Sequence, residues 1–160
     1  MIAGASTRRF ASVLVALLAV GASTGCSSLF DAPQSAPTPL ESSVDAFQPV
    51  YDAIATSDPR VERASTVTTS LSGAARQLTV VIRITGSEPV STQTLTAVLI
   101  AVRDSAHGDA DMLDLVARDA SNPKQILDLS DAIRGLPSGL STVWIDGGLV
   151  VPMSDLAALG

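Results

Sequence analysis

The sequence has few of the side chains on which disulfide-stabilised folds, catalysis and aromatic recognition depend. Its 160 residues include one cysteine (Cys26), one histidine (His107) and one tryptophan (Trp144), and aromatic residues make up 3% of the chain. A single cysteine cannot form an internal disulfide, so a folded domain must be stabilised by its apolar core. So few aromatic rings also argue against a platform on which sugars or bases would stack.

Basic residues are also scarce, and they are unevenly placed. The formal net charge is −6, and two of the ten basic residues, Arg8 and Arg9, lie near the N-terminus. From Cys26 onward, eight basic residues stand against sixteen acidic ones, a net charge of −8. Nucleic-acid binding depends on Lys and Arg neutralising phosphates, so we predict no nucleic-acid partner. The same charge argues against a polybasic membrane-binding patch.

The sequence contains no catalytic motif around these few reactive groups. A serine hydrolase would need His107 as its base, but no GxSxG motif accompanies it. No glycine-rich phosphate loop is present either. We expect His107 to lie at the end of a helix, where a protonated imidazole interacts favourably with the helix dipole. We therefore predict no catalytic residues, no cofactor and no enzymatic activity.

A cluster of aspartates in "HGDADMLD" raises the question of calcium. A calcium loop needs oxygen ligands at alternating positions, and Asp109 and Asp111 meet this requirement. Leu113 occupies the third such position, and Asp114 comes one residue later. A calcium loop also needs a glycine at its sixth position and a distal glutamate, and neither is present. We interpret the cluster as a solvated acidic turn and predict no metal site.

The first 25 residues have the three parts of a secretory signal peptide. Arg8 and Arg9 form a positively charged start, an uncharged apolar run follows from Phe10, and small residues from Gly21 to Gly25 close the segment. The strongly apolar part, Val13 to Val20, is shorter than the roughly 20 residues of a membrane-spanning helix.

The end of this segment indicates a particular kind of signal peptide. The stretch "STGC" places Gly25 directly before Cys26, and it resembles the lipobox of bacterial lipoprotein precursors. Ser23 stands where the commonest form of that motif has leucine. The resemblance covers about 26 residues and concerns a sorting signal, not a domain family. It implies that the thiol of Cys26 receives a diacylglyceryl group and that cleavage follows directly before this residue.

Lipidation of Cys26 would place the protein on a membrane, facing away from the cytoplasm, on the periplasmic or cell-surface side. Two or more acyl chains give stable attachment, whereas one chain anchors only marginally. Residues 26–43 are rich in proline and serine and are predicted to form a flexible tether. The alternative is an unmodified cysteine in an ordinary signal peptide.

The hydrophobic pattern predicts a single folded domain over residues 44–160. Apolar residues at helical spacing from Val44 to Ile54 predict a first helix. Two alternating segments, 61–71 and 77–86, with a turn at 72–75 between them, predict an antiparallel hairpin. Val67, Thr69 and Leu71 are expected on one face of its first strand.

The second half of the domain alternates helices and strands. Ser91 or Thr92 is expected to cap a helix over 94–106, and Leu113, Leu115 and Ala117 lie on one side of the next strand. The segment 121–137 is predicted to be a helix that Asn122 caps, with Pro123 in its first turn and Gly135 beyond its end. Its inner face is formed by Ile126, Leu129 and Ile133. Residues 140–152 predict either a hairpin with a turn at 146–148 or one strand with a glycine bulge. A final helical turn capped by Ser154 closes the chain.

This order, α-β-β-α-β-α-β with a possible further strand, predicts an α+β fold with helices on one face of a mostly antiparallel sheet. Its strand-strand-helix-strand part is compatible with a ferredoxin-like topology. We expect a membrane-anchored, non-catalytic binding or assembly module of the cell envelope, with a protein partner meeting a sheet face that includes Val81, Val116 and Trp144. For Trp144 the alternative is a position in the core, or half-buried under a loop. The alternative is a carrier that holds a lipid or another apolar ligand between the sheet and the helices.

Overall fold

The computed structural model describes residues 43–108 and 110–160. The predicted signal peptide, Cys26 and all of the predicted tether except Ser43 lie outside these residues. The elements are α1 (Ser43–Ala55), β1 (Val61–Ser72), β2 (Ala75–Ile84), α2 (Thr92–Ser105), β3 (Met112–Asp119), α3 (Ser130–Arg134), β4 (Val143–Ile145), β5 (Gly148–Pro152) and a C-terminal 3₁₀ helix (Met153–Ala158). None of the helices in these two ranges is both long and apolar enough to cross a membrane.

The five strands form one open sheet in the order β1-β2-β3-β5-β4. All neighbouring strands are antiparallel except β2 and β3, which run parallel and are connected through α2. The prediction of an α+β fold with a mostly antiparallel sheet is confirmed. A ferredoxin-like topology is not found, because its split βαβ units need a strand between the parallel pair and β2 lies directly beside β3.

The core lies between one face of the sheet and the helices. Alternate residues of β2 and β3 are buried, and those of β3 are the predicted Leu113, Leu115 and Ala117. From the helical side, α2 contributes Leu95, Leu99 and further buried residues to the same cluster. Strands that alternate buried and partly exposed residues in this way have one face packed and one face towards water.

The first strand departs from simple alternation. Its buried residues, Val61, Ala64 and Val67, come at every third position, because register shifts at two points each add a residue to the strand. Thr69 and Leu71 were expected to continue the buried face, but Leu71 is 76% exposed. Thr69 is exposed too, at the edge of a cleft that Phe47 and Val50 of α1 also line, so close packing ends before the tip of the hairpin.

The predicted helix over 121–137 is mostly wrong. Only Ser130–Arg134 is helical, and residues 125–127 instead pair with β3 through the bridge between Arg118 and Ile126. The Asp119 carboxylate accepts hydrogen bonds from the Ser121 hydroxyl and from the backbone N–H groups of Ser121 and Asn122. Such local bonds compete with a helix and favour a turn.

Three local predictions, the β4–β5 hairpin, the cap of α2 and the final turn, are close to the structure. The structure has the hairpin alternative at β4–β5, with Asp146 and Gly147 as its two turn residues, both at positive φ as a type I′ turn requires. Ser91 caps α2 by accepting from the N–H of Thr94 at 3.0 Å. The final turn is present as a 3₁₀ helix, but Pro152 precedes it and no side chain caps it.

Candidate functional site

The sheet face opposite the helices, called here the outer face, carries side chains that the domain leaves uncovered. Valine and isoleucine residues occupy much of its β3–β5–β4 side, and arginines occupy the level where β2 and β3 end. These two groups lie next to each other, and their geometry follows from the strand register.

The apolar group is defined by six residues and is called the apolar strip. Val143 and Ile145 on β4 are each 55% exposed, and they pair across the sheet with Val150 and Gly148 of β5. Val116 of β3 pairs with Val81 of β2. Ile126 is 42% exposed and is bridged to β3 through Arg118. The strip comprises Val81, Val116, Ile126, Val143, Ile145 and Val150.

Trp144 does not belong to this face. It pairs with the buried Leu149, so its ring lies on the core side, where it is half-buried against the apolar cluster. Strand alternation accounts for this placement, because Trp144 lies between the outward-facing Val143 and Ile145. The partner-binding face predicted from the sequence is therefore corrected by exchanging Trp144 for these two neighbours.

A glycine keeps part of the strip flat. A Cβ at Gly148 would lie 2.5 Å from Asp114 Oδ1 and 3.5 Å from Val116 Cγ2, so both side chains lean across the place where a β5 side chain would stand. Gln77 Nε2 donates to Asp114 Oδ2 at 3.2 Å. Burial nevertheless raises the pKa of Asp114, and the hydrogen bond from Gln77 opposes that shift.

The β4–β5 turn also meets the strip closely. A Cβ at Gly147 would lie 2.9 Å from Cγ2 of Ile126. Ile126 thus packs over the turn at the end of β4 and extends the apolar surface from the edge strand to the level of Arg118. This contact also explains why residue 126 is not part of a helix, because its side chain is fixed on the sheet side.

The basic group, called the arginine row, consists of Arg63, Arg83 and Arg118. Arg83 is the register partner both of Arg63 on β1 and of Arg118 on β3, so the three side chains leave the same face of three adjacent strands. Neighbouring strands are about 4.8 Å apart, which makes the row about 10 Å long. The row carries three positive charges in a domain that is acidic as a whole.

These arginines have few internal partners. Arg63 Nε lies 3.7 Å from Glu62, an exposed pair, and Arg118 Nη1 donates to the carbonyl of Pro123 at 2.9 Å. Arg83 Nε is buried and makes no hydrogen bond within the described residues. No carboxylate in that part of the chain forms an ion pair with Arg83 or Arg118.

The clefts on the domain surface are small. Four of them within the described residues have volumes of about 220 to 320 Å³ and are partly open to solvent. Ligand pockets usually occupy roughly 300–1,000 Å³. One apolar cleft of about 280 Å³ lies between the start of α1 and the end of α2, where Phe47, Leu78 and His107 contribute to its wall.

The remaining residues considered from the sequence do not gather into one site. His107 is exposed just beyond α2. Asp111 accepts a hydrogen bond from the N–H of Arg76 at 2.7 Å, whereas Asp114 faces Gln77 on the outer face. Asp109 lies outside the described residues. Within residues 43–108 and 110–160, no group of three or more His, Cys, Asp or Glu side chains is arranged to hold a metal ion.

Sequence reasoning missed the arginine row although one signal was present. The alternation of β2 places Arg83 on its outward side, together with Val81. Alternation along one strand does not give the register between strands, which aligns Arg83 with Arg63 and Arg118.

Comparison with known proteins adds no precedent, since no family model, curated protein or solved structure matches this chain.

Proposed function

We propose that this protein is a lipoprotein of the bacterial cell envelope, anchored through lipid on Cys26, and that its folded domain is a non-catalytic binding or assembly module. The outer face is its docking surface for a protein partner. The observation that supports this proposal is the apolar strip on a sheet face that the helices leave uncovered. Contiguous exposed apolar surface with polar surroundings is typical of interaction sites.

The packing of the domain favours this function over that of a lipid carrier. The buried residues form one continuous cluster between the sheet and the helices. A carrier would need a connected apolar cavity in that layer, and the surface clefts reach only the lower limit of the usual size for ligand pockets. The apolar residues of the interior are therefore accounted for as a packed core.

The anchoring part of the proposal is tested by the variant Cys26→Ala. We expect wild type to incorporate labelled palmitate and to sediment with membranes, and we expect the variant to lose the label and to leave the membrane fraction. A Cys26→Ala variant that stays equally membrane-bound would contradict lipid anchoring, whatever the folded domain does.

The docking part is tested by placing a charge on the apolar strip. We expect the wild-type protein, extracted from its native envelope with mild detergent, to migrate on native gels as a complex larger than the isolated chain. Ile145→Asp should reduce the size to that of the isolated chain, because a carboxylate in an apolar contact is costly to desolvate. Leu71→Asp is the matched control, since Leu71 is apolar and 76% exposed but lies at the hairpin tip, away from the strip. Equal migration of all three proteins would contradict docking at this face.

A further inference from the structure

The arginine row is unfavourable for the isolated domain. Like charges directly opposite each other on neighbouring strands destabilise a sheet, and Arg83 has such a neighbour on each side. The buried, unpartnered Nε of Arg83 adds to the cost, because a buried donor without an acceptor loses its hydrogen bonds to water. Arg118 has a role within the fold through its hydrogen bond to the Pro123 carbonyl, but no hydrogen bond or ion pair among the described residues accounts for Arg83 beside it.

We infer that the arginine row binds a carboxylate-bearing, extended segment of the protein partner. This inference rests on the proposed function and specifies the partner's chemistry. Carboxylates would accept from the guanidinium groups in charge-assisted hydrogen bonds, which are stronger than neutral ones and often bidentate for arginine. The negative charge of the segment would also offset the repulsion among the three guanidinium groups of the row.

The surroundings of the row favour a protein segment over other anions. The apolar strip begins directly beside it, since Val81 and Val116 pair two residues away from Arg83 and Arg118, and Ile126 is bridged to Arg118. Residues two apart on an extended segment are about 6.7 Å apart, so two or three alternating carboxylates match a row about 10 Å long. A segment with carboxylates at alternate positions would present them together to the row, and apolar side chains further along that same face of the segment would contact the strip.

Nucleic acid and an anionic membrane surface fit less well. Either would present a large negative surface to a chain with eight basic and sixteen acidic residues after position 25. A short segment avoids this repulsion because it contacts only the local positive row. Anionic lipid is kept as an outcome of the test, since its phosphates could also accept from arginine.

The test measures binding of a synthetic octapeptide in which glutamate alternates with valine, using a fluorescent label and the purified full chain in non-ionic detergent. We expect saturable binding that weakens as salt is added, and roughly 10- to 100-fold weaker binding for Arg83→Gln, since a charge-assisted hydrogen bond contributes about 1.5–3 kcal/mol. Arg83→Lys should bind with intermediate affinity, because lysine keeps the charge but not the bidentate geometry.

Matched controls separate a local contact from general charge. Arg134→Gln removes the same charge from an exposed position on α3 and should change the affinity by less than about twofold, since an exposed charge at a distance is screened. A peptide with glutamine in place of glutamate should not bind. Circular dichroism of each variant establishes that a loss of binding is not a loss of folding.

Three results would overturn the inference. The first is equal binding of the glutamine peptide, and the second is an equal effect of Arg134→Gln and Arg83→Gln. The third is Arg83-dependent binding of Cys26→Ala protein to phosphatidylglycerol vesicles without binding of the peptide, which would assign the row to lipid. If Ile145→Asp disrupts the native complex while Arg83→Gln leaves it intact and the peptide does not bind, docking stands and only the acidic partner is rejected.

Discussion

Replacing Arg83 by methionine should stabilise the domain, which is unusual for a change at a half-buried position. Arg83 has two like-charge neighbours across the sheet, and each such pair costs about 0.2–1 kcal/mol. Its buried Nε has no acceptor, a defect that costs about 1–3 kcal/mol in a fully buried site and less here, where the side chain is partly exposed. Methionine keeps an apolar stem of similar length. We therefore expect the free energy of unfolding to rise by about 0.5–2 kcal/mol.

Urea denaturation of the full chain in non-ionic detergent, followed by the fluorescence of Trp144, measures this change. Trp144 is the sole tryptophan and is half-buried against the core, so its emission reports on the fold. Arg134→Met is the control, because Arg134 is 71% exposed and forms only a surface ion pair with Asp131, and its effect should stay within about 0.5 kcal/mol. If Arg83→Met lowered stability by more than that amount, Arg83 would have favourable interactions within the domain, and the argument for an external carboxylate would fail.

Three further predictions concern the packing and the turns of the domain. Leu78→Ala should lower the free energy of unfolding, measured in urea, by about 2–5 kcal/mol because Leu78 is 2% exposed. Leu71→Ala on the same hairpin should change it by less than about 0.5 kcal/mol, and equal effects would contradict the placement of the core. Gly148→Ala should lower the free energy of unfolding by about 1–3 kcal/mol, because its Cβ would crowd Asp114 on the outer face. Gly139→Ala should be tolerated, since a Cβ there would meet nothing closer than 3.9 Å. A larger loss for Gly139→Ala than for Gly148→Ala would refute the close packing of Asp114 over Gly148. The hydrogen bonds of the turn, first of all the one from the Ser121 hydroxyl, lower the pKa of Asp119. The charged carboxylate therefore stabilises the fold at pH values above the unfolded pKa of about 3.9, and this contribution is lost as the pH falls through the folded pKa. Asp119→Asn should therefore lower Tm at neutral pH, with a difference from wild type that shrinks in acid; a constant difference would count against this role.

The elements that the sequence predicts well are those in which periodicity and a boundary residue agree. β2 alternates over its whole length, and its buried residues Leu78, Val80, Ile82 and Ile84 occupy every second position, as the predicted strand requires. α2 combines helical spacing with the Ser91 cap. In both segments the local preference of the chain and the burial of its apolar residues favour the same secondary structure, so tertiary contacts do not change it.

The segment 121–137 shows why the rest could not be predicted. The apolar residues Ile126, Leu129 and Ile133 fit a helix, but Ile126 packs over Gly147 on the outer face, whereas Leu129 is buried in the core. Two different surfaces thus produce a spacing that resembles one helical face. Nothing within the segment reveals this, because Gly147 belongs to a turn twenty-one residues further along the chain.

The candidate site has the same limitation. Alternation shows which residues of a single strand face outward, and this was enough to place Val81 and Val116 on one face. The arginine row and the apolar strip depend on register between strands that are distant in sequence, such as β1 with β2 and β5 with β4. Register is set by turns, bulges and the shared core, so it became visible only in the assembled sheet.

Site-specific photocrosslinking in the native envelope tests docking at the outer face most directly. A photoreactive amino acid at Ile145 should give a discrete crosslinked adduct with a protein partner, and Arg83→Gln in the same chain should reduce its yield. The same photoreactive group at Leu71, which is more exposed, should give no such adduct. An adduct at Leu71 but none at Ile145 would contradict docking at the outer face.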